Sequence, residues 1–262
     1  MDSHSQSNAP IASYNHVARV VWNGSLPIQF TWSKAEAQGF ALGPLLIEAP
    51  RCSYLSSVNN QICRHFGGKV PQSLSDVWYE YEGTPLKWHY PIGLLYDIHV
   101  LQSHSQKASE ASMLPWKITV HFQDFPADKL IRHSTADSSQ DYFMSMIKEA
   151  EYLRNGSTKK VMNMPMADQT QLWDGLWSKS YDLFWGMNHK LVTNDGLAVR
   201  HLPIRIYLPE NCPVIQEPVS PVDENAQAII HGITPNLDTS ALWLAQNMAY
   251  PDNFLHLVVI IE

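Results

Sequence analysis

The chain has 262 residues, of which 45% are hydrophobic and 16% are charged, and its formal net charge is -7 at pH 7. This composition indicates a globular protein with enough apolar material for two or three small domains or one large one, and it excludes a disordered chain. The acidic balance argues against a dedicated nucleic-acid binder, which normally has a surplus of basic residues.

The three cysteines, Cys52, Cys63 and Cys212, show no C-x-x-C spacing. Their odd number argues against a disulfide scaffold, a zinc ribbon and a thioredoxin-like motif, and reduced thiols in a cytosolic protein are the simplest explanation. No apolar segment follows a basic stretch near the N-terminus, so we expect no signal peptide. The longest apolar runs have the length of a strand and are too short to span a membrane.

The first half of the chain predicts a polar arm followed by a mixed α/β unit. The arm covers 1–10, a short helix is expected within 12–19, and an Asn-Gly turn predicts a hairpin over 20–32. Apolar spacing predicts a helix over 53–66. Four strand-like segments follow, at 77–81, 86–90, 92–100 and 116–122. A hairpin, a helix and further strands in this order are typical of the β-grasp, the ubiquitin-like architecture.

The middle of the chain predicts helices, and the first of them presents one lysine on its polar side. Ser138-x-x-Asp141 resembles a capping box, and Asn155-Gly156 is typical of a left-handed helix end. The apolar stripe between them consists of Phe143, Met146, Ile147, Ala150 and Leu153. At about 100° per residue, Lys148 points roughly 160° away from the centre of this stripe. We therefore expect its amine to stand in solvent.

A second helical stretch begins near 168–171 and has an aromatic face that runs to Leu191. After it, the pattern predicts a strand, a proline-rich loop, a second strand, a helix and a last strand, at 202–208, 209–224, 228–233, 238–248 and 255–261. The branched aliphatic residues of the last segment indicate a strand that is buried on both faces. This order is a shorter form of the plan predicted for the first domain.

Sequence motifs for catalysis or cofactor binding are not found. The chain contains no G-x-S-x-G, H-E-x-x-H, P-loop or G-x-G-x-x-G pattern. Its twelve histidines are scattered without the spacing of metal ligands, so we predict neither a metal site nor a cofactor. A hydrolase with Cys52 or Cys63 as its nucleophile stays open as an alternative, since only the fold could bring a histidine beside either thiol.

Eight segments, read in order, resemble the autophagy-related protein 5 family. They are 21–27 (VWNGSLP), 51–55 (RCSYL), 80–93 (EYEGTPLKWHYPIG), 114–122 (LPWKITVHF), 143–150 (FMSMIKEA), 172–176 (LWDGL), 230–233 (IHGI) and 250–256 (YPDNFLH). The resemblance covers about residues 20–262 and implies an α+β fold with two ubiquitin-like β-grasp domains flanking a helix-rich domain. The predicted division is an arm with a short helix at 1–19, and domains at 20–125, 126–196 and 197–262.

The resemblance also implies a non-catalytic protein with covalent and non-covalent partners. The family's acceptor lysine falls on Lys148 and receives the C-terminal glycine of the ubiquitin-like autophagy-related protein 12. Together with the coiled-coil autophagy-related protein 16, the conjugate acts like a ubiquitin ligase. It stimulates the conjugating enzyme that attaches a second ubiquitin-like modifier to phosphatidylethanolamine. A cytoplasmic protein, peripheral on the preautophagosomal structure and the phagophore membrane, is expected.

A groove for a helical partner requires clustered apolar anchors, which junctions between domains can supply. Trp88, Tyr90, Trp177 and Trp185 are the candidates for its walls, although no local motif of the family fixes them. A docking module that uses its ubiquitin-like faces without being conjugated is the alternative function. Exchanging Lys148 for arginine distinguishes the two.

Overall fold

The computed structural model describes most of the chain. The described residues are 11–37, 42–66, 77–104, 113–132, 138–193, 201–209, 212–215, 226–236 and 238–261. The predicted arm at 1–10 lies outside them, as does most of the proline-rich loop predicted over 209–224.

The N-terminal domain is a five-stranded mixed sheet with a helix packed against it. Its strands are β1 (Ser25–Trp32), β2 (Leu45–Pro50), β3 (Trp78–Tyr81), β4 (Thr84–Pro85) and β5 (Trp116–His121). They lie in the order β2-β1-β5-β3-β4, with β1 and β5 parallel and the other pairs antiparallel. A 3-10 turn (Leu55–Val58) leads into α2 (Asn59–Phe66). Ile28, Phe30, Ile118 and Val120 of the central strands are buried with Ile62 of α2. This arrangement is the predicted β-grasp.

The hairpin predicted over 20–32 is wrong, because its first half is helical. Helix α1 (Ile11–Trp22) continues to Trp22, and Asn23-Gly24 ends it: Asn23 N–H donates to the carbonyl oxygen of Arg19, and Gly24 N–H to that of Val21. The Asn-Gly signal does mark a chain reversal, but this reversal follows a helix rather than a strand. β1 instead forms its hairpin with β2, where Ser25 faces Pro50.

Two further strand predictions in this domain are wrong. The segment 92–100 is helical, with α3 (Ile92–Tyr96) continuing through a π-helical turn (Asp97–Leu101) into Gln102–His104. All five residues of α3 are buried, so the segment reads as a continuous apolar run, and such a run does not distinguish a buried helix from a buried strand. The strand predicted over 86–90 is absent: the strand that pairs with β3 is β4, which ends at Pro85, and only Leu86 N–H continues the pairing by donating to the carbonyl oxygen of Tyr79.

The helix-rich middle contains four helices: α4 (Ser138–Asn155), α5 (Lys159–Met162), α6 (Met166–Trp177) and α7 (Tyr181–Val192). The ends predicted for α4 agree with the structure, and Gly156 has a φ of 67°. The aromatic stretch expected as one helix is two, because Lys179 turns the chain with a φ of 62°. The bundle core is built from Trp22, Phe143, Ile147, Leu172, Leu176, Tyr181, Phe184 and Leu191.

Helices α6 and α7 approach each other closely at Gly175. A Cβ atom at this position would lie 2.4 Å from the backbone nitrogen of Phe184. We expect Gly175→Ala to lower the free energy of unfolding by about 1–3 kcal/mol, measured by urea denaturation, because the helices would have to separate. Gly186→Ala in α7 is the matched control, since its Cβ would be 3.6 Å from the nearest atom. It should raise the free energy of unfolding by about 0.5–1 kcal/mol. Equal losses in both variants would contradict this account of Gly175.

The C-terminal domain is a smaller sheet of the same type. Its strands are β6 (Ile204–Tyr207), β7 (Ala226–Ile229) and β8 (Leu255–Ile261), and its helix is α8 (Ala241–Met248). They lie in the order β6-β8-β7, with β6 parallel and β7 antiparallel to β8. The predicted order of two strands, a helix and a strand is confirmed, although the second strand ends at Ile229 and does not reach Ile233. The fold class is also confirmed: two ubiquitin-like domains flank a helical bundle.

The helical segment that begins with α3 joins the two ubiquitin-like domains. Leu94 packs into the core of the C-terminal sheet beside Tyr207 and Val258. The side-chain amide of Gln102 donates to the carbonyl oxygens of Tyr207, at 3.0 Å, and Val259, at 2.7 Å. None of the described helices is both long enough and apolar enough to cross a membrane.

Candidate functional site

Lys148 lies in the third turn of α4, on the side away from the bundle core. Phe143, Ile147 and Ala150 of the predicted stripe are buried, so the helix faces the bundle as expected. Lys148 itself is half-buried rather than fully exposed. Among the described residues, none forms a hydrogen bond or an ion pair with its amine. The side chain therefore has a fixed base and an unengaged amine.

The C-terminal domain contacts α4 through Arg205. Arg205 of β6 donates to the carboxylate of Glu149 at 2.9 Å, and its guanidinium lies 3.3 Å from the sulfur of Met146. The same guanidinium lies 4.1 Å from the centre of the Phe254 ring. α4 is thus attached to the bundle on one side and to β6 on the other. Helical periodicity could not reveal this second contact, because it depends on a residue far away in sequence.

A buried ion pair connects the N-terminal domain to the C-terminal domain. Arg51 donates to the carboxylate of Asp97, and also to the carbonyl oxygen of Gly93 at 3.2 Å. The second carboxylate oxygen of Asp97 accepts a hydrogen bond from Gly232 N–H at 3.1 Å. Burial is the largest single influence on the pKa of Arg51 and lowers it, but the contributions of Asp97 and Tyr250 together outweigh burial, and the net pKa is raised.

A second polar joint connects the bundle to the C-terminal domain. The side-chain amides of Asn188 in α7 and Asn253 exchange two hydrogen bonds of 2.8 Å, and both residues are buried. Each amide satisfies the other, so the joint requires little further hydrogen bonding. The domains are therefore held by specific contacts, and the cleft between them has defined walls.

A cavity of about 690 Å³ lies at this junction, and its lining is mainly apolar. Its walls come from α1, α7, α8 and the segment 249–253, together with Cys52, Arg154 of α4 and Thr193. The apolar and aromatic wall residues are Ala18, Val21, Trp22, Tyr181, Phe184, Trp185, Val192, Leu242, Ala245 and Pro251. A groove that is open to solvent and lined with aromatic rings suits the apolar face of an amphipathic helix. We call this cavity the junction groove.

The four groove candidates from the sequence occupy four different environments. Trp185 lines the junction groove and stacks on Tyr181 with ring centres 6.0 Å apart. Trp177 is 42% exposed and stacks on Trp173, and it does not line the groove.

Trp88 and Tyr90 also lie outside the groove. Trp88 is buried, and its indole N–H donates to the carbonyl oxygen of Ile131 at 2.6 Å. The half-buried ring of Tyr90 packs edge-on against Tyr207, with centres 5.8 Å apart. These two aromatic residues stabilise contacts within and between domains.

The groove residues that sequence reasoning missed come from α1 and α8. The sequence pattern predicts Trp22 in a hairpin and Leu242 in the helix at 238–248, and it gives no sign that either residue lines a groove. α1 and α8 pack against each other although more than 200 residues separate them. The one available signal was the helical spacing of Ala18, Val21 and Trp22.

Burial disfavours the reactive thiolate form of the two cysteines in the hydrolase alternative. Burial raises the pKa of Cys52 to about 12, so its sulfur is protonated at neutral pH, although the residue borders the junction groove. Burial also raises the pKa of Cys63. Within the described ranges, no group of three or more His, Cys, Asp or Glu side chains is arranged to hold a metal ion.

Three family models match the chain in the order of its three structural units. The model described as autophagy protein ATG5, UblA domain, matches residues 21–122. The models for the ATG5 alpha-helical bundle region and the ATG5 UblB domain match residues 136–194 and 222–259.

Whole-chain comparisons agree with these models. Autophagy protein 5 of Drosophila melanogaster is 30% identical over 273 residues, which cover 95% of this chain and 98% of the relative. Autophagy protein 5 of Phaeosphaeria nodorum is 31% identical over 295 residues, covering 92% of this chain and 95% of the relative. The crystal structure of Kluyveromyces marxianus Atg5 has a similar fold, with a TM-score of 0.79 and 24% identity over 93% of this chain and 99% of that one. The chain belongs to the autophagy protein 5 family.

Proposed function

We propose that this chain is the acceptor scaffold of a ubiquitin-ligase-like conjugate in autophagy. Lys148 is joined by an isopeptide bond to the ubiquitin-like autophagy-related protein 12, and the coiled-coil autophagy-related protein 16 binds to the junction groove. The assembly promotes transfer of a second ubiquitin-like modifier to phosphatidylethanolamine during autophagosome formation. The chain acts in the cytoplasm and peripherally on the preautophagosomal structure and the phagophore membrane. It works as an arm (1–19) and three domains (20–125, 126–196 and 197–262).

The observation that carries the proposal is the setting of Lys148 within the family motif. Conjugation requires a neutral amine that attacks the thioester carbonyl held on a conjugating enzyme: a C–N bond forms, the C–S bond breaks, the enzyme thiol leaves, and the amine loses a proton. An ordinary lysine is mostly protonated at neutral pH, so placing the amine beside the thioester has to supply most of the rate. α4 supports this step because the bundle and Arg205 fix its position.

The junction groove supports the non-covalent part of the proposal. Its aromatic and aliphatic walls belong to α1, α7 and α8, so an inserted helix would contact the bundle and the C-terminal domain together. Such an occupant would replace solvent on apolar surface, which is the main source of affinity in helix-in-groove complexes.

Leu242→Asp tests the groove with a surface substitution. Leu242 lines the groove and is 40% exposed, so the variant should fold normally. We expect it to weaken binding of a synthetic peptide that covers the helical N-terminus of the cognate coiled-coil protein by about tenfold or more, measured by isothermal titration calorimetry.

Leu183→Asp is the matched control, since Leu183 is 46% exposed on α7 and lies outside the groove. It should bind the peptide like the wild-type chain. If the two aspartate variants bind equally well, the peptide does not occupy the junction groove. If the wild-type chain does not bind the peptide, the proposed partner is wrong.

A further inference from the structure

One cation lies in the mainly apolar wall of the junction groove. Arg154, in the last turn of α4, borders the groove and is only 8% exposed. Of the lining residues, it is the only lysine, arginine, aspartate or glutamate, all of them within the described part of the chain. The groove therefore presents a single fixed positive charge, in a chain whose formal net charge is -7.

No anion in the described structure neutralises this charge. Arg154 forms neither a hydrogen bond nor an ion pair with any described residue. The nearest acidic residue on its own helix, Glu151, is already engaged: its carboxylate accepts from the backbone N–H groups of Lys160, at 2.8 Å, and Val161, at 2.9 Å. This carboxylate satisfies the first turn of α5 and is not directed at Arg154.

An unpaired buried guanidinium destabilises the protein by itself. Removal from water disfavours the charged form, and burial lowers the pKa of Arg154 for this reason. The other two buried arginines at domain junctions, Arg51 and Arg205, have Asp97 and Glu149 as partners. The same wall contains Asn247, whose side-chain oxygen has no hydrogen-bond partner among the described residues. Buried polar groups are normally paired, so the unpaired guanidinium points to an absent anionic ligand. The amide oxygen of Asn247 is an acceptor and would need a separate donor.

We propose that the junction groove selects a helix that brings one aspartate or glutamate carboxylate to Arg154, beside the apolar residues that fill the rest of the groove. This inference rests on the proposed function, because it assumes that the groove holds a partner helix. It adds the chemistry that distinguishes the correct helix from other amphipathic helices. A helix without the carboxylate would bury the guanidinium completely and leave it unpaired.

Arg154→Met tests the inference with two measurements that move in opposite directions. The methionine keeps much of the side-chain volume and removes the charge. We expect the free chain to unfold at the same temperature as wild type or higher, because a buried unpaired charge is gone. We expect affinity for the synthetic coiled-coil N-terminal peptide to fall roughly thirty-fold or more, measured by calorimetry.

A double-mutant cycle identifies the carboxylate. Each Asp or Glu of the peptide is changed in turn to Asn or Gln, and each peptide is titrated against wild type and Arg154→Met. One of these peptides should lose affinity for wild type and lose little further affinity for Arg154→Met. Arg154→Lys should retain part of the affinity, because it keeps the charge without the planar fork.

Three results overturn the inference. The first is an Arg154→Met variant that binds the peptide with unchanged affinity. The second is a lowered unfolding temperature of that variant, which would indicate that Arg154 stabilises the fold. The third is a peptide whose affinity does not change when any of its carboxylates is removed. Each of these results counts against the inference only if the wild-type chain binds the peptide. A wild-type chain that fails to bind it contradicts the proposed function instead, so the two failures are distinguishable.

Discussion

Replacing Lys148 with arginine should reduce the higher-mass conjugate to background while leaving the fold unchanged. Arginine keeps the positive charge and the helix propensity, but its guanidinium stays protonated and cannot attack a thioester. Lys148 is half-buried and is not paired with any described residue, so the exchange removes no internal contact. The measurement is an immunoblot of cells that express the variant in place of the wild-type chain.

Lys159→Arg is the matched control for this experiment. Lys159 begins α5, eleven positions further along the chain, and is exposed. It should support the same amount of conjugate as wild type, because an exposed amine alone does not make an acceptor. If the conjugate persists in Lys148→Arg cells, the acceptor is another residue. If the conjugate forms in neither wild-type nor variant cells, the docking module without conjugation is the better description.

Removing the carboxylate of Asp97 should cause the largest loss of stability of any change proposed for this chain. Asp97→Ala leaves the Arg51 guanidinium buried without its partner, and it deprives Gly232 N–H of its acceptor. Breaking a buried ion pair from one side typically destabilises a protein by about 3–5 kcal/mol. We expect a loss of this size in the free energy of unfolding, measured by urea denaturation. Because Asp97 also joins the two ubiquitin-like domains, the C-terminal domain should lose protection from proteolysis first.

Asp182→Ala provides the comparison, since it breaks an ion pair that is exposed rather than buried. Asp182 accepts from Arg19 of α1, and its side chain is 76% exposed. Exposed pairs are screened by water and salt, so this substitution should leave the unfolding midpoint unchanged. Similar losses in the two variants would show that burial does not determine the importance of the Arg51–Asp97 pair.

Several elements could be predicted because their signals are local. The ends of α4 follow from a capping box and an Asn-Gly stop. The face of α4 that packs on the bundle follows from apolar residues that recur every three or four positions. β5 and β8 follow from short apolar runs next to turns. The family and the fold class could also be predicted from the sequence, because the segments that resemble the family follow one another in the same order along the chain.

Signals that more than one structure can satisfy led to errors. Asn23-Gly24 closes a helix here, yet the same dipeptide also forms hairpin turns. The residues 92–96 are buried on every side, so they have no polar face that would reveal their helical period. In both cases the neighbouring domain decided the outcome, because Trp22 packs into the bundle and Leu94 into the C-terminal sheet.

The features of the candidate site also fall into two groups, those that local sequence determines and those that only the tertiary structure determines. The sequence alone determined the helix on which Lys148 lies and the face from which it projects, because helix geometry relates residues a few positions apart. Only the tertiary structure decided that Arg205 contacts Glu149 of this helix, that Trp185 rather than Trp88 lines a groove, and that Arg154 stands in the groove without a described partner. These features arise where residues more than fifty positions apart meet, and the packing of whole domains determines such contacts, which no local pattern encodes.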